Sequence, residues 1–147
     1  MRTVDVVTAV SVAIALLAVV RWVLAPGRVI GGWNALARTY RVDELPLGQR
    51  FRFVSARIGN ELAPVLYRNV LNVVVNASGF GLSIQSVFGK APAIFIRWTD
   101  VTTAESRPSQ FGDAVLFRVR GPWPTITLYG TAARAATQAY EQARSTE

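Results

Sequence analysis

Few side chains in this sequence could carry out chemistry, and two of the most useful types are missing. The 147 residues include no histidine and no cysteine. Histidine is the usual general acid–base group near neutral pH and the commonest metal ligand, and cysteine supplies thiolates and disulfides. The composition therefore excludes a histidine-based catalytic triad, a thiol enzyme and a cysteine-ligated metal centre.

The acidic residues do not form a recognisable site either. No segment has the spacing of a calcium-binding loop, and no glycine-rich phosphate loop stands between a strand and a helix. Asp43 and Glu44 are adjacent in a connector, Asp100 follows a strand pattern as turn-capping carboxylates do, and Ser55 and Ser83 have no histidine to activate them. We therefore predict that the protein is not an enzyme, has no catalytic or metal-binding residues and uses no cofactor.

The chain is strongly basic. Its net charge of +7 comes from 15 arginines and the single lysine, Lys90, set against nine acids. A dispersed excess of arginine fits a domain held near an anionic surface such as lipid headgroups, and it equally fits an ordinary solvated face. The pairs Arg50/Arg52 and Arg118/Arg120 could track nucleic-acid phosphates, but no recognition motif accompanies them. We expect no nucleic-acid partner.

The N-terminal segment is almost continuously apolar. Residues 4–25, about 22 in number, would form a helix about 33 Å long, enough to cross a hydrocarbon core of about 30 Å. Arg21 and Trp22 suit the membrane interface, and Pro26 with Gly27 would end the helix. A cleaved signal peptide and a buried helix fit the pattern less well. We predict a retained transmembrane anchor over residues 1–27.

Arginines dominate the residues after this anchor until the first downstream acid, Asp43. Positive residues favour the cytoplasmic side, so the sequence predicts a single-pass inner-membrane protein with a cytoplasmic domain. Arginine and tryptophan side chains near the anchor would contact the bilayer interface. These predicted interface residues are Arg21, Trp22, Arg28, Trp33, Arg38 and Arg41.

Residues 28–49 are predicted to form a short juxtamembrane helix and a connector. Trp33, Leu36, Ala37 and Tyr40 recur at helical spacing and define one face. This face could rest on lipid headgroups with Trp33 inserted, or it could pack on the following domain. Both alternatives remain open at this point.

The pattern changes to period two from Arg50 onward, which predicts a mainly β domain over residues 50–147. Phe51, Phe53 and Ser55 are expected to share one face of the first strand. About seven short strands separated by turns follow in sequence. Thr131 is the predicted N-cap of a closing C-terminal helix.

Two segments resemble a known family. GFGLSIQ at residues 79–85, followed by AIFIRWTDVTTAE at residues 93–105, is similar to the GRAM and bacterial pleckstrin-homology-like pattern. The whole chain also resembles uncharacterised single-span bacterial membrane proteins carrying this segment. The resemblance implies a seven-strand barrel or sandwich closed by a C-terminal helix, and often lipid or protein binding. The first hairpin lacks the dense cluster of basic residues of phosphoinositide-binding members, so no family binding residue carries over.

These features predict a membrane-tethered, non-enzymatic binding or scaffolding module. Its expected partners are the lipid bilayer, through anionic headgroups, or a partner protein. A structural subunit of a larger membrane assembly is the alternative. A nucleic-acid-binding or enzymatic domain is the least favoured reading.

Overall fold

The computed structural model describes residues 3–23, 31–59, 64–85, 91–110, 112–121 and 125–146. Within these ranges the chain forms three α-helices and eight β-strands, with a 3₁₀ turn at Trp98–Asp100. The helices are α1 (Thr3–Val23), α2 (Gly31–Tyr40) and α3 (Thr131–Ser145). The strands are β1 (Arg41–Val42), β2 (Gln49–Gly59), β3 (Val65–Val75), β4 (Gly79–Ile84), β5 (Ala93–Arg97), β6 (Val101–Arg107), β7 (Ala114–Val119) and β8 (Thr125–Tyr129).

All described strands belong to one antiparallel sheet in the order β1-β5-β4-β3-β2-β8-β7-β6. The predicted mainly β domain with a C-terminal helix is confirmed, but the predicted seven-strand barrel or sandwich is wrong in two respects. The sheet has eight strands, because the two residues of β1 pair with β5. It is also open, since β1 and β6 stand at its two ends. A two-residue strand is too short to show any periodicity in the sequence.

The sheet curves strongly and encloses the core between its two halves. Four strand spacings, about 19 Å in a flat sheet, separate β4 from β7. The rings of Phe80 in β4 and Phe117 in β7 nevertheless lie only 5.1 Å apart. Trp98 contacts both rings, and Tyr140 of α3 contacts Trp98 and Phe117. This aromatic cluster joins both halves of the sheet to the C-terminal helix.

Strand periodicity predicted many of the inward-facing side chains. Strands β3, β5 and β7 bury the alternating residues that the pattern selects, because apolar side chains on one face of the pleat share the core. These buried residues are Tyr67, Leu71, Val73 and Val75 in β3, Ile94 and Ile96 in β5, and Val115, Phe117 and Val119 in β7.

The first long strand departs from the predicted alternation. Phe53 is 61% exposed and has a left-handed backbone with φ of 55°, whereas Val54, the next residue, is buried. The pairing register with β3 shifts between Phe51 and Val54, as a β-bulge requires. The bulge transfers the inward positions to Val54, Ala56 and Ile58, so the predicted shared face of Phe51, Phe53 and Ser55 is wrong.

The C-terminal helix begins one residue earlier than its predicted N-cap implied. Gly130 is the N-cap, with φ of 77°, and Thr131 is the first helical residue. Glycine tolerates this backbone conformation, which lets β8 turn directly into α3. The small face of the helix, with Ala132, Ala133 and Ala136, is buried against the sheet.

The predicted membrane anchor is overturned. In the described part of the chain, no helix is both long and apolar enough to cross a membrane. Asp5 and Arg21 bound the uncharged stretch of α1, and its 15 residues extend about 22 Å, short of a hydrocarbon core of about 30 Å. The earlier count reached a spanning length by continuing past Arg21. The predicted single-pass inner-membrane location and its orientation depended on this anchor and are corrected with it.

Candidate anion-binding cleft

The predicted membrane-interface residues do not form one site in the structure. Arg21 and Trp22 belong to α1, but their side chains are outside the described part, as is the whole of Arg28. Arg38 and Arg41 are exposed, and Arg41 lines a shallow hollow together with Asp43 and Glu44. The nearby carboxylates make this hollow a poor place for an anion.

Trp33 is a core residue. Its side chain is 0% exposed, its indole nitrogen donates a hydrogen bond to the Pro92 carbonyl at 3.0 Å, and its ring lies 5.6 Å from that of Tyr67. Leu36 on the same helical face is also buried. Of the two interpretations of this helix, the structure shows the one in which α2 packs on the domain.

A different set of residues forms a cleft beside the point where β8 leaves β2. Strand β8 pairs only with the second half of β2, from Ala56 to Gly59, and then turns into α3 at Gly130. The first half of β2 therefore runs on without β8 beside it. The resulting opening, about 540 Å³ in volume, is within the usual range for ligand pockets. We call it the arginine cleft, and it is lined by residues 50–55, 66, 68, 69 and 129–132.

Two adjacent irregularities in β2 and β3 shape the floor of this cleft. Phe53 and Asn69 are the non-glycine residues with positive φ among those described, at 55° and 56°. Ser55 connects the two strands here, because its hydroxyl accepts a hydrogen bond from the Asn69 N–H at 3.0 Å and donates one to Asn69 Oδ1 at 3.1 Å. Such bulges redirect side chains at binding sites, and their backbone strain is maintained by the surrounding contacts.

Arginines dominate the electrostatics of the cleft. Arg50, Arg52 and Arg68 line it, and no acidic side chain is among its described lining residues. Within the described ranges, Arg50 and Arg52 take part in none of the ion pairs. Three guanidinium groups around one opening create a positive potential and offer planar sets of N–H donors. Phosphate and carboxylate oxygens are the acceptors that fit such donors best.

Apolar groups stand next to these charges. Phe53 is 61% exposed and Leu66 is 41% exposed, and both line the cleft. The bulge explains the exposure of Phe53. A regular strand would place this ring in the core, and the bulge turns it toward solvent. The cleft can therefore hold a ligand that joins an anionic group to an apolar or flat group.

The start of α3 adds a weaker contribution. Residues 130–132 line the cleft, and Gly130 supplies no side-chain cap to the helix. The partial positive charge at a helix N-terminus favours nearby anions. This effect has the same sign as that of the three arginines, which remain the principal feature.

The described lining of this cleft offers hydroxyl and guanidinium groups and no carboxylate, and the described residues contain no cluster of acids suited to a metal ion. Its guanidinium groups can bind an anion. Sequence reasoning identified Arg50 and Arg52 as a possible phosphate-contacting pair but missed Arg68 and the cleft. Fifteen residues separate Arg52 from Arg68, and the bulges that bring both to the cleft have no signature in a periodic pattern.

Comparison with known proteins adds no assignment. No protein-family model matches the sequence, and no curated protein is significantly similar to it. The resemblance to the GRAM and pleckstrin-homology-like pattern stays a prediction.

Proposed function

We propose that this protein is a non-catalytic binding module that holds a phosphate-type anionic group in the arginine cleft. One observation carries the proposal: Arg50, Arg52 and Arg68, from two adjacent strands, surround one cleft that has no acidic residue in its described lining. A scattered basic surface would not produce this concentration of charge.

The bulged strands support the same function. A site binds more tightly when its groups are already held in the bound arrangement, because less conformational entropy is then lost on binding. The hydrogen bonds between Ser55 and Asn69 fix the segment that carries Arg52 and Arg68. The positive φ of Phe53 and Asn69 is a local cost that these contacts offset.

A phosphate-type group could reach the cleft on a small molecule or on a lipid headgroup. Inorganic pyrophosphate represents the first source, and vesicles of phosphatidylglycerol the second, with phosphatidylcholine vesicles as the uncharged comparison. Exposed Phe53 and Leu66 would enter the headgroup region beside the arginines only with the second source.

Calorimetric titration of the full chain with pyrophosphate at low salt tests the proposal. We expect binding that weakens by about tenfold in each of Arg52→Gln and Arg68→Gln, because a charge-assisted hydrogen bond contributes about 1.5–3 kcal/mol. Arg38→Gln is the matched control, since Arg38 is exposed and lines none of the described clefts. Vesicle co-sedimentation with the same variants distinguishes the two sources.

Two results would contradict the proposal. The first is the absence of pyrophosphate and vesicle binding by the folded wild-type chain. The second is equal weakening by Arg38→Gln and Arg52→Gln, which would show that net charge alone determines the affinity. Thermal unfolding of each variant establishes that the comparison is made between folded proteins.

A further inference from the structure

A second basic cleft lies on the outer surface of the same sheet. It has a volume of about 410 Å³, and Arg57 of β2 and Arg107 of β6 line it. Thr125 and Thr127 of β8 lie between these arginines, and residues 108–110 border the opposite side. No acidic residue belongs to its described lining. We call it the threonine cleft.

One acid outside this lining reduces its charge. Glu105 forms an ion pair with Arg107 at 3.1 Å and lies 3.8 Å from the guanidinium of Arg118. All three side chains are well exposed, so these pairs contribute little and exchange readily with solvent or ligand. Two arginines against one glutamate still leave this edge of the cleft positive.

The strand register shows that the two clefts are neighbours. Arg57 in the threonine cleft is directly opposite Leu66 in the arginine cleft, so about 5 Å separates their Cβ atoms. Arg57 is also opposite Thr127, which in turn is opposite Leu116. These residues form one row across β3, β2, β8 and β7.

A second row links the clefts through a shared aromatic residue. Tyr129 lines both of them, and it is opposite Ala114, which is opposite Arg107. Two strand spacings, about 10 Å, separate Tyr129 from Arg107. The outer surface therefore presents a continuous track from Arg52 and Arg68, past Tyr129, to Arg107.

We propose, against the expectation from the sequence that there is no nucleic-acid partner, that this track is a single groove that binds a single-stranded nucleic acid. The inference rests on the proposed function of the arginine cleft and identifies its ligand class. Proteins that hold single strands combine a basic groove along the phosphate backbone with aromatic rings on which bases stack. Here the arginines of both clefts supply the phosphate contacts. Exposed Phe53 supplies a ring beside them.

Other polyanions fit the groove less well. An acidic peptide or a chain of inorganic phosphates would satisfy the arginines but would leave the exposed face of Phe53 without a planar partner. A duplex stacks its bases, so their faces cannot contact a protein ring. Sequence readout of a duplex needs a protruding helix or ribbon that enters its groove, whereas this surface is a recess. A single phosphate occupies only one of the two clefts.

Fluorescence anisotropy with labelled oligothymidylates tests this inference on the full chain. Strands of about four and about twelve nucleotides bracket the site sizes of known single-strand binders. We expect the longer strand to bind at least about tenfold more tightly at low salt, because it can place phosphates against the arginines of both clefts at the same time. Replacing Arg57 and Arg107 together by glutamine is expected to remove this advantage and to leave pyrophosphate binding in the arginine cleft unchanged. Arg38→Gln is the control.

The outcomes separate this inference from the proposed function. If pyrophosphate binds but the longer strand gains nothing over the shorter one, the groove inference is overturned and the anion-binding function stands. Competition by polyglutamate or inorganic polyphosphate as effective as that by the oligonucleotide also overturns it, because the bases would then contribute nothing. Failure of both pyrophosphate and oligonucleotides to bind overturns both proposals.

Discussion

Ser55 and Asn69 join two irregular strands through a pair of hydrogen bonds, of 3.0 Å to the Asn69 N–H and 3.1 Å to its side-chain oxygen. Neither residue is part of the buried core. The contact therefore contributes mainly to the shape of the arginine cleft, where both residues lie.

Ser55→Ala is expected to weaken pyrophosphate binding more than it weakens the fold. Loss of these hydrogen bonds at a partly exposed position destabilises the protein by about 1 kcal/mol. The same loss frees the segment that positions Arg52 and Arg68, so more conformational entropy is lost on binding and the affinity falls. Calorimetric titration and urea unfolding measure the two effects. Ser145→Ala, at the far end of α3, is the control. Unchanged affinity in Ser55→Ala would show that the link does not organise the cleft.

Trp33→Ala is expected to destabilise the domain by about 3–5 kcal/mol, the usual cost of removing a large buried aromatic side chain. Trp33→Phe should cost less, because it keeps most of the buried surface but loses the hydrogen bond to Pro92. Chemical unfolding of both variants gives the free energies. The exposed Arg38 on the same helix offers a control, since Arg38→Gln should change stability by less than about 0.5 kcal/mol. A small effect of Trp33→Ala would contradict the core position of this helix.

Tyr67 makes the fold sensitive to alkaline conditions. Burial raises the pKa of the Tyr67 hydroxyl from 10.0 to about 12. The folded state disfavours the ionised side chain, so the stability associated with Tyr67 is complete below pH 10 and is lost as pH rises through 12. The difference corresponds to about 3 kcal/mol. Urea unfolding at a series of alkaline pH values should show a steeper loss in wild type than in Tyr67→Phe. Parallel curves would contradict the assignment.

Anion binding should depend strongly on salt and weakly on pH. Arginine stays protonated, the chain has no histidine and no acid is among the described residues of the arginine cleft, so its charge is constant near neutrality. Inorganic sulfate suits this test, because it does not titrate in that range. Chemical-shift titrations between about pH 6 and 9 should give one affinity, and affinity should fall steadily as sodium chloride is added. A change of about tenfold across this pH range would require a titrating group at the site.

Local patterns predicted most of the fold but little of the site. Alternation identified the long strands and their buried residues, such as Leu71 and Phe117, because one face of each strand contacts the core. The same rule failed at Phe53, where a bulge reverses the faces. The arginine cleft depends on that bulge and on the point where β8 turns away from β2. Both are consequences of tertiary packing that no single window of sequence contains.

The N-terminal helix shows a different kind of error. The apolar segment reached the length of a membrane span only because residues on both sides of Arg21 were counted, although this charge divides the segment. A charged side chain in the hydrocarbon core of a bilayer is costly, so a membrane span depends on where its charges lie as well as on its mean hydropathy. The large apolar side chains of α1 from Val6 to Val19 are 46–65% exposed in the structure.

Strand β2 belongs to both halves of the curved sheet. Its first half pairs with β3 alone, its second half pairs with both β3 and β8, and the Phe53 bulge lies just before this change. The backbone amides that follow the bulge therefore lie where a change in the angle between the two halves of the sheet would alter their hydrogen bonds. A ligand bound to Arg52 would reduce the motion of this part of β2. We therefore expect the backbone amides of β8, as well as those of β3, to exchange hydrogen more slowly when the ligand is bound.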